Sequence, residues 1–141
     1  MRRGQWIRPP RVLNNKLDDD AQIRATIAPW RQACVDRDWD ALLALCTDDI
    51  EISGPGDPKV SGDAVRAWLE NYPIIKTMTF DFDRIEISGD LAAASGSGTM
   101  LLEVEGQDAT ENFDFIDIFR KDASGTWLYS AVNFNSKNAP A

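Results

Sequence analysis

The sequence predicts an α+β fold in which helices come first and pack on one face of a curved antiparallel sheet. Three observations carry this reading. Apolar residues recur at helical spacing as far as about residue 72, strand-like alternation takes over from Thr77, and glycines with one break of parity punctuate the strand half. At 141 residues the chain makes one ordinary domain, long enough to bury roughly 68–70% of the surface that its unfolded form exposes.

The first helix follows Asp18, Asp19 and Asp20, whose charges suit a helix N-terminus. Ile23, Ile27, Trp30 and Cys34 form its buried stripe, to about Asp36, and Pro29 predicts a kink near Thr26. Asp38 is placed to cap a second helix that buries Trp39, Leu42, Leu43 and Cys46. A short strand over 49–53 ends in GPGDPKVSG, which reads as loop chemistry throughout. A third helix from Gly62 presents Val65, Trp68, Leu69 and Tyr72 on one side, and Pro73 stops it.

Four strands complete the pattern. In TFDFDRIEI, Phe80 and Phe82 share one parity and Ile85 and Ile87 the other, so a bulge is expected near Asp83 or Arg84. Ser88, Gly89 and Asp90 read as the hairpin turn. LAAASGSGTMLLEVE begins with small residues and ends with large ones, and Gly96 and Gly98 leave space on it. Met100, Leu102 and Val104 read as core. In the last strand, Ser130, Val132 and Phe134 share one parity and Trp127, Tyr129 and Asn133 the other. Bulge, glycines and aromatics together predict a concavity that side chains do not fill completely.

Charge narrows the function. Five basic residues (Arg2, Arg3, Arg8, Arg11, Lys16) and no acid stand in residues 1–17, a basic N-terminal extension, and the ten remaining cations against 23 acids leave the rest at −13. So acidic a body lacks the basic footprint that nucleic acid requires. No apolar run reaches the ~18 residues of a membrane span, and the N-terminus has no ~7–15-residue apolar core of a secretory signal, so neither a membrane nor export is expected and the cytoplasm is. Histidine is absent, which removes Ser-His-Asp and Cys-His catalysis and His-ligated zinc. Cys34 and Cys46 sit in apolar helical patterns and read as reduced core thiols. The aspartates at 18–20 and at 36, 38 and 40 lack calcium-loop spacing, so no metal is expected.

One stretch departs from its own pattern. FDFIDIFRK, residues 113–121, alternates Phe113, Phe115, Asp117 and Phe119 on one face with Asp114, Ile116, Ile118 and Arg120 on the other. A carboxylate therefore shares the aromatic face while isoleucines are turned outward, and exposed apolar positions on a sheet face predict a partner.

The runs RDWDALLALCTDDIEISGPGDPKVSGDAVRAWL and IDIFRKDASGTWLYSAVNF resemble the ketosteroid isomerase-like and SnoaL-like polyketide cyclase branch of the nuclear transport factor 2-like superfamily. This branch also contains dehydratases and epoxide hydrolases. The resemblance covers roughly residues 18–138 and implies a single cone-shaped domain with three N-terminal helices on the concave face of its sheet. On the last strand it implies that Ser130, Val132 and Phe134 face inward and Trp127, Tyr129 and Asn133 outward. Isomerases of the family use an aspartate base at the end of the first strand, a tyrosine donor from the first helix and a protonated aspartate donor from the penultimate strand. By position these fall on Gly54, Trp30 and Asp117. The base is thus missing, and steroid isomerisation itself is not expected.

The resemblance therefore implies a pocket with Asp117 as a neutral acid and hydrogen-bond donor, Trp30 as a second donor, and Trp68, Met100, Phe115, Phe119, Val132 and Phe134 around a small apolar or aromatic ligand. It implies no cofactor, and pairing of two copies through the outer sheet face. The reaction classes it suggests are isomerisation, cyclisation and dehydration; the alternative is an association module with a vestigial pocket. The Asp-Arg-Asp arrangement of the epoxide hydrolases would draw its cation from Arg24 or Arg66.

Overall fold

The computed structural model describes residues 18–138; the basic extension expected at 1–17 lies outside them. The first helix comes in two segments, residues 18–24 and, after a turn at residues 25–26, α1 (Ile27–Asp36). The Thr26 hydroxyl closes the first segment by donating to the Ile23 carbonyl at 2.6 Å. Pro29 stands three residues past the Thr26 cap of α1, where a backbone N–H has no helical acceptor anyway, so the ring costs no hydrogen bond. The break expected near Thr26 is therefore a restart of the helix rather than a bend within it.

α2 (Trp39–Leu43) is capped as its sequence predicts, the Asp38 carboxylate accepting from the Ala41 amide at 3.1 Å. α3 (Ala64–Glu70) ends before Pro73. Arg37 takes the left-handed conformation, φ 53°, that ends α1. Its guanidinium donates to the carbonyls of Glu70, Tyr72 and Pro73, tying the exit of α3 to the end of α1.

The strands are β1 (Cys46–Ser53), β2 (Val60–Ser61), β3 (Ile74–Ser88), β4 (Leu91–Val104), β5 (Gln107–Lys121) and β6 (Trp127–Ser136). They form one curved sheet in the order β2-β1-β6-β5-β4-β3. All pairings are antiparallel except β1 with β6, which makes the sheet mixed. β2 arises inside the segment that reads as loop. The β3–β4 register shifts between Phe82 and Arg84, which is the bulge expected from the parity change, and Gly89 at φ +59° makes the turn that follows.

β4 and β5 pair small against large. Ala92, Ala94, Gly96 and Gly98 stand opposite Phe119, Asp117, Phe115 and Phe113 in turn. At Gly96 a Cβ would collide with the Asp81 carbonyl oxygen and meet the Phe115 ring at 2.9 Å, so glycine is required there for the close approach of β3. The space expected from the two glycines is thus taken by phenylalanine rings. Opposite Asp117, the short Ala94 side chain leaves the carboxyl room.

In β6 the structure departs from the expected alternation. Trp127 and Tyr129 are buried, not outward. The register with β5 jumps between Ile118, which pairs Ala131, and Phe119, which pairs Tyr129, leaving Ser130 as a bulged extra residue. A one-residue bulge reverses the facing of everything before it, so Trp127 and Tyr129 join Val132 and Phe134 on the inner side. Asp19, one of the acids at the helix start, is buried: it accepts from the Trp127 indole at 3.0 Å and pairs with Lys121 at 3.0 Å. Val104, expected in the core, is exposed at the end of its hairpin.

Candidate functional site

The inner face of β5 is buried from Phe113 to Phe119, Phe113, Phe115, Asp117 and Phe119 each being no more than 6% exposed. Asp117 is the one member of that row that is not apolar. No hydrogen bond or ion pair to it forms among the described residues, and its Oδ1 is a buried polar atom with no partner. Burial without a counter-charge disfavours ionisation, and desolvation raises the Asp117 pKa well above the usual carboxylate range.

Asp117 faces a cavity of about 80 Å³ between the helices and the sheet. Trp30, Trp68, Met100, Phe115, Val132 and Phe134, all predicted for the site, line it with Asp117. Phe119 does not. It is fully buried behind the acid, with its ring 4.3 Å from that of Tyr129 and 5.9 Å from that of Phe82, because the bulge at Ser130 turns Tyr129 inward against it. Trp30 lies on Tyr129 at 4.2 Å between ring centroids. Its indole makes no hydrogen bond to Asp117, and it lines the same cavity wall as the acid.

Gly54, the position to which the resemblance assigns the family's base, has little space for a side chain. A Cβ there would meet the rings of Phe134 and Trp68 at 3.1 Å each. Arg24 is engaged with Asp20 and with the Phe82 carbonyl, and Arg66 pairs with Asp40; neither lines the cavity. Glu51 faces away and pairs with Lys59 at 3.5 Å. Among the described residues Asp117 is accordingly the only carboxyl in the cavity wall.

Other wall residues escaped the sequence reading. Tyr72, Phe80 and Phe113 line the cavity, although their helical or strand parity already put them on the inner side. Cys34 lines it as well, while Cys46 is a buried neighbour that donates to the Leu42 carbonyl. Burial pushes both thiols up to about 12, which leaves them as protonated apolar groups. Tyr129, whose hydroxyl shares a 2.9 Å hydrogen bond with Thr26, is driven well above its ordinary pKa by burial and then by the nearby Asp117.

Comparison with known proteins fits this geometry. The profile described as the SnoaL-like domain matches residues 27–129. Among solved structures, a ketosteroid isomerase-like protein from Erwinia carotovora atroseptica superposes with a TM-score of 0.74 at 21% identity, over 84% of this chain and 96% of that one. An NTF2-like protein with a cystatin-like fold from Novosphingobium aromaticivorans gives 0.71 at 19%, over 93% and 90%. The hexachlorocyclohexane dehydrochlorinase LinA-type3 from Novosphingobium barchaimii gives 0.72 at 16%, over 87% and 89%. Likeness at these identities is a likeness of fold. No curated protein matches significantly.

Proposed function

Since this chain belongs to the SnoaL-like domain family, we propose that it binds a small apolar or aromatic molecule through an oxygen acceptor, with protonated Asp117 as the donor. The observation that carries this reading is the Asp117 Oδ1, buried and without a partner at the end of an apolar cavity. A buried polar atom left unsatisfied costs about 1–3 kcal/mol, and a ligand oxygen entering the cavity would offset that cost.

The chemistry open to such a site is acid assistance without a cofactor: isomerisation, cyclisation or dehydration in which charge grows on the ligand oxygen. A preorganised donor aimed at that oxygen contributes several kcal/mol to the transition state. Trp68 and Phe134 crowd the space at Gly54 and no second carboxylate among the described residues lines the cavity, so the substrate must enolise readily or carry its own base. We assign the protein to the cytoplasm, in keeping with its two free buried thiols. No helix among the described residues is long and apolar enough to cross a membrane.

Titration with phenols and enones tests the reading. Asp117→Leu, which keeps the approximate size of the side chain but removes its donor, is expected to weaken phenol binding at least about tenfold and to remove any turnover found in the enone screen, with the fold retained. Equal binding by the wild-type and variant proteins would overturn it.

A second reading rests on Ile116, 57% exposed on the outer sheet face, beside Ala131 and Asn133 on β6 and Ser95 on β4. Two copies paired through this face would cover it. A monomer mass by light scattering at micromolar concentration would refute the pairing.

A further inference from the structure

A second hollow, of about 520 Å³, adjoins the inner cavity. Its apolar wall comes from Pro55, Pro58, Val60 and Leu102, and its polar margin includes Asp57 and Glu111. Trp68 and Tyr72 line both spaces and are the only residues common to the two walls. Their ring centroids are 5.1 Å apart, so these two side chains form the partition between the spaces.

The inner cavity alone encloses only part of a ring-sized ligand. Its 80 Å³ compares with the roughly 150 Å³ of a dry apolar cavity that accepts benzene. A molecule whose oxygen reaches Asp117 therefore leaves part of its body outside the inner cavity, and the outer hollow beyond Trp68 and Tyr72 has room for it.

There it meets two carboxylates with no ion pair among the described residues. Asp57 accepts from the Trp68 indole at 3.1 Å, and Glu111 from the Ser136 hydroxyl at 2.6 Å. Lys59 pairs with Glu51, and Arg37 is engaged with the carbonyls at the end of α3. The Tyr72 phenol has its pKa raised by burial first, then by Glu111, Cys34 and Asp57, which places both carboxylates within electrostatic reach of the partition.

We infer that the two spaces are halves of one elongated binding site, with Trp68 and Tyr72 as its size-determining constriction and Asp57 and Glu111 as a subsite for a protonated amine. The ligand is then an apolar molecule with an acceptor oxygen at one end, held by Asp117, and an ammonium group at the other. The inference rests on the Asp117 reading, because the partnerless Oδ1 is what draws the ligand through the constriction.

The test uses the full chain and two probe series: 4-(ω-aminoalkyl)phenols of increasing chain length, and 4-alkylphenols matched to them. The amines are expected to bind about tenfold tighter at the chain length that spans the two halves, and to lose that advantage at high salt. The double variant Asp57→Asn/Glu111→Gln should abolish the advantage while leaving alkylphenol affinity within about twofold, since the amide oxygen that replaces the Asp57 carboxylate can still accept from Trp68. Amines that bind no tighter than alkylphenols at every length would overturn the subsite and leave the Asp117 reading standing. Failure of both series to bind the wild-type protein would overturn the Asp117 reading and this inference with it.

Discussion

The two faces of β5 invert the usual rule of burial at adjacent residues. On the inner face Asp117 is 4% exposed among phenylalanines, while on the outer face Ile116 is 57% exposed between Ser95 and Asn133. Each placement alone is unfavourable. A buried acid without a partner loses hydration, and an exposed isoleucine forgoes burial worth about 1.5–3 kcal/mol. A one-residue register change would exchange them, yet it would also expose Phe113, Phe115 and Phe119. Three aromatic rings outweigh one acid. The strand therefore keeps its register, and the two misfits mark where a ligand and a second copy of the chain would compensate.

Four substitutions or measurements separate the two faces. The largest effect belongs to the fully apolar part of the inner face: Phe119→Ala should cost about 3–5 kcal/mol in denaturant unfolding, since Phe119 is fully buried against Tyr129 and Phe82. Asp117→Leu should act in the opposite sense. Replacing a buried polar group that lacks a partner with an apolar one of similar size is expected to stabilise by about 1–3 kcal/mol at pH 7, read as a higher melting temperature. A loss of stability in this variant would mean that the carboxyl is satisfied in the native protein.

The third prediction concerns pH. The folded pKa of Asp117 is raised by desolvation, so above about pH 4 the native state holds a proton that the unfolded chain has released. Its contribution to stability is complete below the unfolded pKa and is lost as pH rises towards the folded one, with a slope of at most about 1.4 kcal/mol per pH unit. The difference in stability between Asp117→Leu and the wild-type protein should accordingly widen as pH rises above 4; a constant difference would count against a raised pKa. The smallest effect on folding belongs to the outer face. Ile116→Lys should change the stability of a single copy by no more than about 0.5 kcal/mol, while a light-scattering mass at the monomer value, against a dimer for the wild-type protein, is what the proposed pairing through this face predicts.

How much of this was legible in the sequence depended on whether a local pattern carried it. The inner row of β5 and the bulge at Asp83 were legible because large apolar residues alternate strictly there and then change parity. The bulge at Ser130 was not. Trp127, Leu128, Tyr129, Ala131 and Val132 make β6 apolar at both parities, so no alternation was present to show a slip. Its consequences, an inward Tyr129 and the removal of Phe119 from the cavity wall, were hidden with it. The burial of Asp19 depends on Trp127 and Lys121, more than one hundred residues away, and β2 is two residues long, too short for periodicity to register. Asp117 was legible as a misfit within its row, but the narrowness of the cavity in front of it was set by rings from α1, α3, β5 and β6 together.

The protonation state of Asp117 is the point on which the inner-face account turns. The direct measurement is the pH titration of its side-chain carboxyl carbon by NMR, with and without a phenol bound. A desolvated pocket acid predicts a pKa well above the unperturbed ~3.9 that moves when the phenol enters. An ordinary value that ignores the phenol would contradict it, and would leave the exposed Ile116 face as the functional surface to pursue.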